Sequence, residues 1–299
     1  MMKKRLMSGI LAAVCCISLM AGCGGSGGKQ KAEPIAVGSK DFTESFILAE
    51  LYALALEDKG FTVERKFNLG GTNVTQTSIV EGELDVYPEY TGTCLLNVLQ
   101  ADLMTDPDEV YNYVKEAYAS QYQLAVLEPT QASNSQGLAI TTEASKAYGI
   151  KTVSDLQANA DKIRFACLGP FLENADSMPA LEAVYGEFNF KSLEIYDNAI
   201  KYELLRQGEA DLTVAFTTDG QLVDPIFTVL EDDKQAWPPY NIVPIARQDT
   251  LDANPGMEEA LNAVSAVLDM ATMQKLNAEV DINKQEAADV AKAFYDATF

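Results

Sequence analysis

The chain contains no histidine and only one tryptophan, and its 22 Lys plus Arg face 44 Asp plus Glu in 299 residues. Without histidine the commonest general base and zinc ligand are missing, so Ser-His-Asp and Cys-His hydrolases and HExxH metalloproteases are excluded. The shortage of clustered cations argues against nucleic acid as a partner. Past the first two dozen residues no run of 18 apolar residues occurs, so the chain is expected to carry no permease of its own. Cysteine is sparse as well: Cys15, Cys16, Cys23, Cys94 and Cys167.

What is present is a globular composition, 47% hydrophobic, and a length that favours two lobes over one. Lys3, Lys4 and Arg5 precede an apolar stretch at 6–22 that is short and interrupted by Ser and Gly, which reads as an export signal. It ends Leu-Met-Ala-Gly-Cys, which resembles a bacterial lipobox; the resemblance implies cleavage after residue 22, lipidation of Cys23 and a place on the outer face of a bacterial cell membrane. GGSGG at 24–28 follows as a flexible tether. Cleavage would remove Lys3, Lys4 and Arg5 and no acid, leaving the exported chain more acidic still. Cys94 and Cys167 then remain, and two free, buried thiols are preferred to a disulfide, because the lobe boundaries below place them apart.

Residues 35–38 read as a short strand. Residues 43–59 carry Phe46, Ile47, Leu51, Leu54 and Ala55 at helical spacing, stopped by Gly60. A strand at 61–67, a Gly70-Gly71 turn and a helix at 72–81 continue the alternation, which signals an α/β design with parallel strands under covering helices. One short segment occurs twice: EGELDV at 81–86 and QGEADL at 207–212. Eight residues after each glycine stands an aromatic, Tyr90 or Phe216, followed by a Thr-containing turn with glycine. Two lobes on one βα plan would each present an aromatic at a strand's carboxyl end, where open α/β sheets bind ligands. The strand of the first copy reads as 84–86, ending in tyrosines too polar for ordinary core.

Polar crossings at 128–135 and 232–240 mean that the chain leaves the first lobe, builds the second and returns. The boundaries expected are residues 1–22 for the signal, 23–33 for the lipidated tether, 34–131 with 238–299 for lobe 1, and 132–237 for lobe 2. Helical patterns begin near Glu258, Met270 and Lys284. DPDEV at 106–110 lacks the spacing and glycine of a calcium loop and marks a helix start, and no phosphate-binding GxGxxG or GxxxxGK[ST] occurs.

SKDFTES at 39–45, GGT at 70–72, YPEYTGT at 87–93, TTDG at 217–220, LEDDK at 230–234 and PPYN at 238–241 occur in order along the mature chain. Together they resemble the substrate-binding proteins of glycine betaine, choline and carnitine ABC transporters. That resemblance implies a two-lobed periplasmic-binding-protein-like (type II) fold, each lobe a βα sandwich, hinged at the two crossings. It also implies a monomer that binds a small amine without cofactor or metal and delivers it to a separate ABC permease and ATPase. A quaternary ammonium cannot donate a hydrogen bond and is held by ring faces, each worth roughly 0.5 to 2 kcal/mol. Micromolar binding needs about 8 kcal/mol, so polar groups must hold the other end. Tyr90, Phe216 and Tyr240 fall where the family places its aromatic cage, Lys40 and Thr93 where it anchors a carboxylate; Tyr87 is left to pack.

The chain also departs from the family pattern. Asn134-Ser135-Gln136 stands where many members carry an aromatic, and 171–177 reads FLENADS where members carry an arginine that grips a carboxylate bidentately. The hypothesis is a larger or differently substituted amine than plain glycine betaine, its polar groups read by Asn134, Gln136 and Asn174. Submicromolar affinity for glycine betaine would contradict it. Two other functions fit the same residues: an exported enzyme using paired carboxylates or Lys40, flanked by Ser39 and Asp41, and a sensory module for a different solute.

Overall fold

The computed structural model describes residues 33–173 and 177–299. The signal stretch, Cys23, the glycine tether and Asn174 lie outside the described residues. Glu33–Phe299 forms one compact unit holding two five-stranded sheets. In chain order the strands are β1 (Ile35–Gly38), β2 (Val63–Lys66), β3 (Val86–Tyr90), β4 (Leu124–Val126), β5 (Gln136–Thr141), β6 (Arg164–Cys167), β7 (Ser192–Ile195), β8 (Leu212–Phe216), β9 (Phe227–Val229) and β10 (Ile242–Arg247).

The sheets share one topology. The first runs β2-β1-β3-β10-β4 and the second β7-β6-β8-β5-β9. In each, three parallel strands are followed by an antiparallel strand from the other end of the chain's path, β10 beside β3 and β5 beside β8. The repeated sequence segment lies at matching places in this pattern. Gly82 and Gly208 leave their helices at φ 81° and 70°, in the left-handed region that favours glycine. The aspartate three residues on then ties two strands. The Asp85 carboxylate accepts from the Ala36 amide at 2.7 Å, and that of Asp211 accepts from the Arg164 amide at 3.0 Å. Their own backbones donate to Ala36 and Arg164 and accept from Arg247 and Thr141. The echo is therefore a strand-starting device used once per lobe.

The strand expected at 84–86 lies further on, at Val86–Tyr90. Pro88 argues against a central strand, but it stands opposite Pro244. Neither residue has an N–H, so this position of the ladder must be a non-hydrogen-bonded pair, which proline tolerates. Tyr87 is fully buried, with its hydroxyl on Gln76.

The first sheet is covered on one face by α1 (Thr43–Asp58) and the C-terminal helices Met257–Ala266, Met270–Asp281 and Ala287–Thr298, which bury Ile47, Leu51, Leu261, Val264 and Met273. Its other face packs on Ile79, Leu95, Val110, Val114 and Tyr118. The last three of these belong to a helix, Pro107–Tyr122, that starts where DPDEV predicts: the Asp106 carboxylate accepts from the Asp108 and Glu109 amides, with Pro107 in the first turn. The second sheet has its own core around Ile140, Val153, Phe165, Phe171 and Trp237. Cys94 and Cys167 are buried, free, and in different cores. Among the described residues no helix is long and apolar enough to cross a membrane.

The two crossings run side by side. Ser133 and Asn241 form an antiparallel bridge, the Asn134 amide donates to the Tyr240 carbonyl at 3.0 Å, and the Tyr240 amide donates to Ser133 Oγ at 2.9 Å. The carboxyl ends of β3 and β8 both open towards this connection.

Candidate functional site

Two adjoining chambers lie between the sheets and share Asn134 and Phe216 as walls. The neutral chamber, about 300 Å³, is lined by Thr93, Asn97, Gln136, Phe171, Ser177 and Tyr240, among others. The acidic chamber, about 370 Å³, is lined by Phe42, Thr43, Glu44, Thr218, Asp219, Asn277 and Asp281. Neither has a lysine or arginine among its described lining residues. A larger hollow, about 400 Å³, opens at the far end of the first sheet beside Tyr122 and Leu124. Its Arg247 and Asp249 are already paired, and it faces away from the strands' carboxyl ends.

Of the residues expected to bind ligand, Thr93, Asn134, Gln136, Phe216 and Tyr240 converge on the neutral chamber. Thr93 sits on the helical turn Thr91–Thr93 directly after β3. Gly92 in that turn is needed for space: a Cβ there would come within 2.8 Å of the Tyr240 ring and the Pro239 carbonyl. Gln136 opens β5 in register with Phe216 at the end of β8, so the two side chains start from one rung of the sheet. Its Oε1 accepts from Ser177 Oγ at 3.1 Å.

Lys40 and Tyr90 do not line either chamber. The Lys40 ammonium is bonded to Glu89, with Lys40 5% exposed and Glu89 fully buried, and it lies 5.0 Å from the centre of the Tyr90 ring. A carboxylate gripped by Lys40 would have to displace a buried counter-ion. Tyr90, 5% exposed, stacks behind Phe42 with ring centres 6.2 Å apart, so Phe42 presents the ring face expected of Tyr90.

The hydroxyl of Tyr90 leads to the group that sequence reasoning missed. It donates to Glu44 Oε1 at 2.7 Å; Asn134 Nδ2 donates to the same oxygen at 2.8 Å and Asn277 Nδ2 to Oε2 at 2.7 Å. Thr218 adds a further side-chain hydrogen bond. All four donors are neutral. Glu44 stands in the first turn of α1, where the helix dipole favours an anion. Burial nevertheless pushes its carboxyl above the ordinary range, against the opposing pull of the four hydrogen bonds. Glu44 is visible within SKDFTES but reads there only as part of a helix start, and nothing near Asn277 in the sequence connects it with a residue 233 positions earlier. Across the chamber Asp219 is neutralised: it accepts from Lys201 Nζ at 3.0 Å, the Tyr202 hydroxyl at 2.6 Å and the Phe216 amide at 3.0 Å.

Two α/β lobes with a cleft at their strand ends, lined by rings, amides and carboxylates, define a substrate-binding protein. The chain belongs to the family of substrate-binding domains of ABC-type glycine betaine transport systems, whose family model matches residues 33–297. The resemblance drawn from the motifs therefore holds at family level. A glycine-betaine-binding protein of Pseudomonas aeruginosa is 32% identical over 289 residues, covering 93% of this chain and 92% of its own. An ergothioneine transport permease/ergothioneine binding protein of Helicobacter pylori, EgtU, is 29% identical over 265 residues; the match covers 88% of this chain and 47% of that longer protein, about half its length. Among solved structures, apo YehZ from Escherichia coli superimposes with a TM-score of 0.80 at 28% identity, over 89% of this chain and 99% of that one. The two-lobed binding-protein fold is thus shared with structures determined independently.

Proposed function

We propose that this protein is the ligand-capturing, lipid-anchored component of an ABC importer. It takes up a quaternary ammonium or related small amine outside the cell membrane and hands it to a separate permease and ATPase. The observation that carries this reading is the composition of the cleft. Phe42, Phe171, Phe216 and Tyr240 reach it, Glu44, Asp219 and Asp281 line one side, and no lysine or arginine lines it among the described residues. Ring faces and carboxylates attract organic cations.

In this reading Cys23 carries the lipid, 1–22 is removed, and the folded body acts as a monomer of two lobes with boundaries at the crossings. Thr93, Asn134, Gln136, Phe216 and Tyr240 contact the ligand directly, and Asn174, between Phe171 and Ser177, is placed by sequence to join them. Tyr90 and Lys40 support the site from behind. A carboxylate on the ligand would find amides, hydroxyls and carboxylates but no lysine or arginine lining the cleft among the described residues, so glycine betaine itself binds weakly. What supports binding without catalysis is the family membership together with the burial of Lys40, the lysine that the enzyme alternative would use, on Glu89.

The test is thermal unfolding of the purified protein against choline, glycine betaine, carnitine and ergothioneine, with neutral amino acids as controls. A ligand at a hundred times its dissociation constant stabilises by about 2.7 kcal/mol. A shift with amines and none with amino acids is expected; the reverse pattern would overturn the reading.

A further inference from the structure

The acidic chamber asks for something that a quaternary ammonium cannot supply. Glu44, 3% exposed, has four neutral hydrogen-bond partners and no cationic one among the described residues. Asn134 and Asn277 both turn their amide nitrogens to its carboxylate, and that fixes their orientation, since a flipped amide would set its oxygen against the carboxylate. Each is left with an amide oxygen that is buried and has no partner, although both residues line the chamber. Asn277 is 5% exposed, so this oxygen is not served by open solvent. A buried acceptor without a donor is costly, and more so than a hydrogen bond gained is favourable. Three neighbouring groups therefore lack, respectively, a counter-charge and two donors. The rings of Phe42 and Phe216 stand at the same chamber with open faces. Apart from the shared Asn134, the polar groups of the neutral chamber are amides and hydroxyls, and no carboxylate lines it among the described residues.

We propose that the acidic chamber receives a protonated amine that keeps its N–H groups, with its charge on Glu44 and its N–H donors on the free oxygens of Asn134 and Asn277. The neutral chamber takes the uncharged remainder of the same molecule. The proposal rests on reading the cleft as a small-amine site and sharpens it: among amines of equal charge, affinity rises when a methyl on nitrogen is replaced by hydrogen. Asn134 and Asn277 become specificity-determining residues, and Glu44 the counter-ion.

The experiment is isothermal titration of the purified protein at pH 7 with choline, N,N-dimethylethanolamine, N-methylethanolamine and ethanolamine. All four carry one positive charge there, and they differ in having no, one, two or three N–H donors. One charge-assisted hydrogen bond to a buried acceptor predicts that N,N-dimethylethanolamine binds about tenfold more tightly than choline. In Asn277→Ala the preference should shrink to about threefold or less. Because Asn277 also bonds the Thr218 carbonyl and its loss could disturb folding, the wild-type series decides by itself. Choline binding as tightly as N,N-dimethylethanolamine, or more tightly, would overturn the proposal and leave the small-amine reading in place. If none of the four binds while glycine betaine or carnitine does, the proposal also fails; if no amine of any kind binds, both readings fail together.

Discussion

β3 and β8 occupy equivalent places in the two sheets, begin with the same Gly-Glu-apolar-Asp segment and end in an aromatic ring, Tyr90 or Phe216. Each ring has a buried lysine ammonium near its face, Lys40 at 5.0 Å and Lys201 at 5.4 Å, and each lysine is tied to a carboxylate, Glu89 or Asp219. Yet Tyr90 is 5% exposed and Phe216 43%. The difference comes from outside the repeated segment. Phe42 and Glu44, on the turn into α1, cover the ring and hydroxyl of Tyr90, whereas Phe216 has no hydroxyl to engage and, among the described residues, no ring stacked in front of it. Equal backbones thus produce a buried ring behind the cleft in one lobe and an exposed ring on the cleft wall in the other. The lesson is that an aromatic at a strand's carboxyl end identifies the right rim of a sheet but not which ring faces the ligand.

The comparison predicts unequal losses. Lys40→Met leaves Glu89 buried without its cation, and removing one partner of a buried pair costs about 3–5 kcal/mol. Lys201→Met leaves Asp219, whose side chain is 21% exposed and keeps the Tyr202 and Phe216 donors, so about 1 kcal/mol is expected. Urea unfolding of the two variants measures both, and equal losses would break the contrast. Phe216→Ala should weaken binding of the best amine about tenfold, as for the loss of one ring face, while changing stability by no more than about 1 kcal/mol; titration and melting of one preparation separate the two effects.

Glu44 gives the comparison a pH dependence of opposite sign to that of the second lobe's Asp211, whose carboxyl, against the upward push of burial, is held below the ordinary range by its pairing with Arg164. The folded Glu44 carboxyl titrates above the ordinary 4.5 because of burial, so the folded state holds the proton more tightly than the unfolded chain. Its contribution to stability is therefore fullest below about 4.5 and falls as pH rises through the raised folded value, by at most about 1.4 kcal/mol per pH unit. Melting curves of wild type and Glu44→Gln between pH 4 and 7 should draw apart in favour of the glutamine variant as pH rises; parallel curves would contradict this assignment. The smallest contrast concerns the strand-starting aspartates. Asp211→Asn also loses the side-chain pairing with Arg164, so it should cost about 1 kcal/mol more than Asp85→Asn, as read from denaturant midpoints.

Much of this is legible in the sequence alone. Periodicity locates α1, and the proline and acidic pattern at 106–110 locates a helix start, because helix signals are local and depend on residues three or four apart. The repeated Gly-Glu-apolar-Asp segment announces two lobes on one plan, since a cap and a strand start need only a few consecutive residues. The rim of the neutral chamber is equally readable: Thr93, Asn134, Gln136, Phe216 and Tyr240 all lie in short motifs next to strand ends. Pro88 misleads, because its tolerance depends on Pro244, more than 150 residues away, standing opposite it. Lys40 misleads for a similar reason, as its partner Glu89 lies 49 positions on.

By itself, then, the sequence determined the class of chemistry. The absence of histidine excludes the common hydrolase and zinc chemistries, the ordered motifs resemble a family of amine-binding proteins, and the local signals are sufficient to build two α/β lobes. Only the tertiary structure decided which charges are available in the cleft. It paired Lys40 with Glu89 and Lys201 with Asp219 inside the protein. It also brought Glu44, Asn134 and Asn277, from three distant parts of the chain, into one chamber with no cation among their described partners. Whether a buried charge is satisfied depends on what lies within a few ångströms of it, and that distance is set by packing rather than by position along the chain.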